Sequence, residues 1–340
     1  MPENKDAKTD DIPKSKNSGA HGMLEMKDNE ATGESETEDH KMNNILEGKG
    51  LPEFDSASRQ LNTLKRLILS SLGMPSWIPD PADLVPVTKS CGCRLEMLDD
   101  HTILKYGPEI RLREAEAMIF VSQKTSIVCP KVIAAYVLDD CGYIVMSYEK
   151  GQSLSRFWSQ ASDTDRRKVT EQLRRYVNDM RQIEENYIGG FDRTECQAGE
   201  FMWDFDPNFK YGPYKDEDEF NAGIIRALYR RTAKEANISP ESELYRKTRR
   251  KEKQMITSHR DHKIVFTHGD LCPVNILIKP DMTVVILDWE SAGFYPEYWE
   301  WYKISWGGIL EYFNMPGEQF SQPFKTETNN MLHVYQKIIG

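Results

Sequence analysis

Three polar residues stand out by type and spacing: Asp270, Asn275 and Asp288, in the stretch IVFTHGDLCPVNILIKPDMTVVILDWE that runs from 264 to 290. Their chemistry suits phosphoryl transfer. A dianionic phosphate chain needs a divalent cation to neutralise it, and Mg2+ takes hard oxygen ligands such as an Asp carboxylate or an Asn carbonyl. A further carboxylate that holds no metal can orient an acceptor hydroxyl and take its proton. Asp270 then reads as the base, and Asn275 and Asp288 as metal ligands. The plain alternative is a hairpin whose Asp and Asn only cap turns. Three such residues at this spacing, parted by apolar runs, favour the chemical reading.

The elements that must hold them are legible around them. Ile264-Val265-Phe266 is a short apolar run that reads as a buried strand. His268-Gly269-Asp270 breaks it, and Pro273 keeps the next loop from becoming helix. Ile276-Leu277-Ile278 and Val284-Val285-Ile286-Leu287 are two further β-branched runs, with Pro280-Asp281 as the turn between them. The expectation is three adjoining strands with the polar residues converged at their ends. His268 reads as support for the loop, because Asp270 occupies the better-matched position for a base.

The spacing H-G-D-x-x-x-x-N, with an Asp beyond a hairpin, follows the kinase catalytic pattern. HGDL-x-x-x-NIL followed by DWE-x-AG-x-x-P-x-x-WE resembles the aminoglycoside phosphotransferase-like family, particularly its fungal-type members, over about residues 85–310. Gly212-Pro213-Tyr214 followed by Glu219-Phe220-Asn221 is similar to a segment of the same members. The resemblance implies an α+β, two-lobed protein-kinase-like fold, with a small antiparallel-sheet lobe and a larger, mostly helical lobe. It implies an ATP-dependent phosphotransferase, with Mg2+, that moves the γ-phosphoryl group to a hydroxyl of a small molecule. Two departures from protein kinases point away from a protein substrate. Gly269 stands where those enzymes often carry Arg, and Trp289-Glu290 replaces Phe-Gly after the metal-binding Asp. The segment after Asp288 offers no A-P-E motif either, which sets a protein kinase aside. A non-catalytic nucleotide-binding protein is the other alternative.

The chain divides into a tail at 1–52, a helix and linker at 53–79, a small lobe at 80–148 and a larger lobe at 149–340. The first 50 residues hold 12 acids, seven lysines and no aromatic residue, so they cannot build a core. A helix opening at Asp55-Ser56 carries Leu61, Leu64, Leu67, Ile68 and Leu72 on one face. In the small lobe, Val85-Pro86-Val87, 94–98 and 102–106 read as strands, then a helix from about 109 to 123, then strands at 132–134 and 143–148. Lys105 lies inside an otherwise apolar strand and needs a carboxylate partner if it is buried. Glu114 and Glu116 are two residues apart on the helix, so only one can face it, and periodicity leaves the choice open. The family pattern selects Glu114, and the pair would hold the α- and β-phosphates. The same fold implies that the Ser147 carbonyl and the Glu149 amide pair with adenine, with Met146 lining the pocket. No G-x-G-x-x-G or GxxxxGK[ST] occurs, so Ser90-Cys91-Gly92-Cys93 is left as the turn covering the phosphates.

The larger lobe opens with a long helix, 163–187, that Gly189-Gly190 ends. The segment 199–214 is rich in aromatic residues and acids, a composition suited to a cationic acceptor or to a self-covering loop. Helices follow at 220–236 and 243–258, and the basic run 246–253 reads as a solvated face. The aromatic cluster from Tyr295 to Trp306 reads as helical core, with Glu300 lining the acceptor site as a lesser reading. A net charge of −10 argues against nucleic-acid binding. No apolar run reaches membrane-spanning length, and the six scattered cysteines form no zinc or disulfide pattern. A soluble cytoplasmic protein is the expectation.

Overall fold

Short strands with alternating side chains build the small lobe. The computed structural model describes residues 93–138, 141–202, 210–237, 239, 242–313 and 323–339. The acidic tail, the helix expected after Asp55, the strand Val85-Pro86-Val87 and positions 90–92 of the phosphate turn lie outside the described residues. So do 203–209 of the aromatic segment. Arg94–Asp99 (β1), Thr102–Gly107 (β2), Val132–Leu138 (β3) and Cys141–Ser147 (β4) form an antiparallel sheet in the order β1-β2-β4-β3. The first turn is closed by Asp99, whose carboxylate accepts the His101 N–H at 2.7 Å. Leu104, Tyr106, Tyr143 and Val145 make one buried face, with Tyr143 stacked on both Tyr106 and Tyr136. Alternation turns Lys105 to the other face.

Helix α1 (Leu112–Lys124) packs against that second face. It starts three residues later than its periodicity suggests, because Ile110 N–H bonds Gly107 O in a turn and Arg111 is extended. Its far end is keyed into the larger lobe. The Phe120 ring meets Phe191 and Phe266 at 5.2 Å and Phe294 at 6.2 Å, in edge or tilted geometry.

The larger lobe carries α2 (Leu154–Gln160), α3 (Asp163–Arg181), α4 (Gly199–Met202), α5 (Glu217–Ala236), α6 (Glu243–Thr248), α7 (Arg250–Thr257), α8 (Trp299–Trp306) and α9 (Lys325–Ile339). Gln152–Ser153 (β5), Ile276–Ile278 (β7) and Val284–Ile286 (β8) form one small sheet, while Ile264–Thr267 (β6) pairs with Gly293–Pro296 (β9). The three strands around Asp270, Asn275 and Asp288 therefore do not adjoin in one sheet. β9 is absent from the sequence reading because a four-residue Gly-Phe-Tyr-Pro run has too little periodicity to declare itself. Helix α3 begins as expected, with the Ser162 hydroxyl accepting the Asp165 N–H at 3.2 Å. It ends at Arg181 and not at 187, because Ile183 O accepts the Phe266 N–H and Glu185 N–H bonds Ile264 O. Pairing alongside β6 wins over helical periodicity there. The stretch expected as one helix from 243 to 258 is two, α6 and α7, with a break at Arg249.

Trp289, Trp299, Tyr295, Tyr298 and Tyr302 are fully buried, as core, whereas Trp306 is 41% exposed. Among the described residues no helix is long and apolar enough to cross a membrane. Phe120→Ala should lower stability by about 3–5 kcal/mol, read as a fall in the denaturant midpoint that Phe120→Leu largely restores. An unchanged midpoint would show that the α1 contact with the larger lobe is not a packing constraint.

Candidate active site

Lys105 lies where the two lobes meet. Its ammonium donates to Glu114 Oε1 at 2.9 Å and Oε2 at 2.8 Å, and to Asp288 Oδ1 at 2.9 Å. Burial alone would lower the lysine's pKa, but the two carboxylates outweigh it and raise it. Burial dominates at Glu114 and pushes its carboxyl up to about 7 against the pull of Lys105. The strand and helix periods explain the meeting: Lys105 faces α1, and Glu114 lies on the side of α1 that also touches the turn after β8.

Asp288 follows β8 in a left-handed conformation, φ 61° and ψ 68°, which Asp tolerates better than most residues. Its side chain is about a third exposed, at 35%. Leu287 N–H bonds Asn275 O at 2.8 Å, so the hairpin β7–β8 sets Asn275 opposite the residue before Asp288. The Asn275 amide nitrogen donates to Asp270 O at 3.0 Å and to Asp270 Oδ2 at 2.9 Å. Its amide oxygen, a hard donor atom, takes no part in these two bonds. Asp270 is pushed up by burial, pulled down by Lys303, and pushed up again by Asp288.

The loop that carries Asp270 is held by side chains on three sides. His268 is fully buried, its Nε2 lies 2.9 Å from Leu287 O, and its Nδ1 accepts the Asp270 N–H at 3.1 Å. These partners place the proton on Nε2, and burial drives the ring's pKa down to about 4. His268 is therefore a neutral brace between the two small sheets. Gly269 adopts φ +78°, and a Cβ there would lie 2.6 Å from Ser291 O. Glycine is required by conformation and by close approach.

Glu300, on α8, supplies the third hold. Its Oε2 accepts the backbone N–H of His268 at 2.7 Å and of Gly269 at 3.2 Å. The sequence reading of Glu300 as an acceptor-lining residue is replaced by this role, which no local signal marked beyond its place in the W-E-W run. Two more residues near Asp270 escaped the sequence. Lys303, 7% exposed, donates to Glu200 Oε1 at 3.3 Å, and the Tyr302 hydroxyl donates to the same oxygen. Glu290 joins Glu114 and Asp288 in a trio whose carboxylate oxygens lie within 4.8 Å of one another. Burial and then Asp288 raise its pKa. Phe201, Tyr211 and Tyr214, offered by the sequence as acceptor-facing rings, are buried among Trp299 and Phe220.

At the strand linking the lobes, Met146 is buried and pairs across the sheet with Ile103. The Ser147 hydroxyl donates to Glu149 Oε1 at 2.7 Å, and Lys279 reaches Glu149 Oε2 at 2.9 Å. Glu149 is thus tied both to its own strand and to the end of β7.

This geometry has relatives. Residues 105–308 match the model of the phosphotransferase enzyme family, which is more than half of the 340-residue chain. The chain belongs to that family. No curated protein matches it. Among solved structures it is similar to a streptomycin–ATP ternary complex of the aminoglycoside phosphotransferase APH(2")-IIa, at 12% identity and TM-score 0.50 over 76% of this chain and 86% of that one. It is similar in the same degree, 12% and 0.50, to a thermostable mutant of APH(4)-Ia with ADP and hygromycin B, over 76% of this chain and 84% of the other. At that identity the likeness is one of fold, and the fold is the two-lobed, protein-kinase-like one.

Burial pushes the Glu300 carboxyl up to about 7, above the 4.5 of an ordinary glutamate. The folded protein therefore holds a proton that the unfolded chain has released, and the stability this contributes is present below about 4.5 and lost as pH rises through about 7. Glu300→Gln should flatten that decline, measured as denaturant-unfolding free energies at about pH 5 and about pH 8. Equal slopes in both proteins would contradict the assignment.

Proposed function

We propose that this protein transfers the γ-phosphoryl group of ATP to a hydroxyl of a small molecule. One observation carries the reading: Lys105 is held between Glu114 and Asp288 while Asn275 is bonded to Asp270. These contacts support reading Lys105 as a phosphate-binding cation, Asp288 and Asn275 as hard-oxygen ligands and Asp270 as a proton acceptor. In the reaction Asp270 would orient the acceptor hydroxyl and take its proton as the new O–P bond forms. The bond between the γ-phosphorus and its bridging oxygen breaks, and ADP leaves. The upward push of burial on Asp270 makes its carboxylate a better proton acceptor than an exposed aspartate.

Asp288 and Asn275 would hold Mg2+, and the oxygen-only donor set with Glu290 alongside fits that cation. Mg2+, when bound, supplies charge neutralisation at the phosphates. Lys105, oriented by Glu114, would grip the α- and β-phosphates. The Ser147 carbonyl and Glu149 amide would pair with adenine over Met146. Glu300 and His268 would position the loop through their bonds to its backbone N–H groups. A cationic acceptor is the finer form of the reading, motivated by the acidic residues Asp270, Asp288 and Glu290 at the site, with the cation Lys303 as the opposing charge beside Asp270. A metabolite-pool screen for ATP-dependent phosphorylation, with Asp270→Asn as the control, identifies the acceptor.

Asp270→Ala should lower turnover by about 10²–10⁴-fold while ATP binding, measured by calorimetry, is kept. Wild-type turnover in that variant would remove Asp270 from the mechanism. Lys105→Met should instead weaken nucleotide binding itself, by roughly tenfold or more for a lost charge-assisted contact. Unchanged ATP affinity in a folded Lys105→Met protein counts against the phosphate role.

A further inference from the structure

The basic run at 246–253 is solvent-exposed at Arg246, Lys247, Arg250 and Lys253, as its composition suggests, and it borders a groove. Helices α6 and α7 turn it toward α5, and the two walls enclose a groove of about 880 Å³. Arg246, Lys247, Arg250 and Lys253 line one wall, and Arg226 and Arg230 line the other. Arg226 and Arg230 are four residues apart on α5 and so share one face of it, whereas Arg246 and Arg250 lie on either side of the break at Arg249. Glu243 is the only acid among the described residues that line the groove, and Lys247 already meets it at 3.1 Å. Six cations thus share one concavity in a chain whose net charge is −10.

Cations gathered around a concave wall focus a positive potential into it, and they do so here although Arg226 and Arg230 also interact within the protein. Four of the six are arginines, whose planar donor forks match phosphate oxygens in pairs. The floor is partly apolar, with Ile225 buried and Tyr229 half-buried, so a ligand with a non-polar part has a surface to rest on. The volume falls within the roughly 300–1,000 Å³ of small-molecule sites. A long polyanion would leave the groove and meet the remaining, strongly acidic chain, so a compact ligand fits better. None of Lys105, Asp270 or Asp288 lines this groove.

We propose that the groove between α5 and the α6–α7 pair is a second binding site, for a small ligand bearing several phosphate groups. It does not depend on the transfer reaction, and its test needs no turnover. The probe is inorganic tripolyphosphate, titrated calorimetrically into the full chain at fixed ionic strength. The groove double variant R250E/K253E should bind it at least about tenfold more weakly, as expected for lost charge-assisted bonds. Lys105→Met, which alters the nucleotide cleft, should leave the groove's binding unchanged. So should K168E/R175E, which reverses two cations lining a different surface cleft. If the charge reversal impairs folding, R250Q/K253Q gives the same reading.

The proposal fails if no saturable binding occurs, or if binding is lost in Lys105→Met and kept in the groove variant. It fails also if K168E/R175E weakens binding as much as the groove variant does, since the effect is then general charge. A peptide of residues 33–39, GESETED, that binds the groove more tightly than tripolyphosphate would assign it to carboxylates and overturn the phosphate reading.

Discussion

The contact between the two lobes at the site depends on one buried cation, Lys105. Lys105 is 7% exposed, and its three short bonds go to one carboxylate in its own lobe and one in the other. A buried ammonium is costly unless its partners are complete, and removing one partner of such a pair typically costs about 3–5 kcal/mol. That penalty links three elements that share no strand pairing: β2, α1 and the turn after β8. Phe120 adds a second, apolar tie between α1 and the larger lobe. With the two together, the helix that bears Glu114 has little freedom to rotate away from Lys105.

A comparable economy of polar contacts holds the loop that carries Asp270. Irregular backbone can be buried only if its N–H and C=O groups find partners. Here Glu300 takes two successive N–H groups, and the His268 ring takes a third while bonding across to Leu287. The last of these bonds joins the β6–β9 pair to the β7–β8 hairpin, and so relates Asp270 to Asp288. Gly269 allows the turn to pass against Ser291 O. The result is a loop without regular structure whose position is nonetheless set by helix α8 and strand β8.

Buried charge recurs next to this loop. Glu200, Tyr302 and Lys303 form a cluster almost closed to solvent, and Lys303 acts on Asp270. Glu300 is fully buried, and its Oε1 meets no partner among the described residues, as a protonated carboxyl would allow. Such groups weaken a core unless satisfied, and here they surround the residue whose ionisation the proposed reaction needs. Trp299, Tyr295 and Phe220 are fully buried and in ring contact, and Trp299 packs edge-on against Tyr302 of this cluster.

Much was legible from the chain alone. The spacing of Asp270, Asn275 and Asp288 and the hairpin between the last two follow from local rules of period and turn, whereas the strand pattern left open whether Lys105 faces inward. Those rules fix where a side chain points relative to its own element. They do not say which element lies opposite. Glu114, nine residues from Lys105, was singled out by the family pattern and not by periodicity, while the early end of α3, the pairing of β6 with β9 and the hold of Glu300 on the loop are contacts between distant parts of the chain. The basic run shows the same division, since its helical face was readable but the arginines of α5 facing it were not. Tertiary packing decided these, because burial and pairing energies between elements outweigh the small local preferences that a sequence displays.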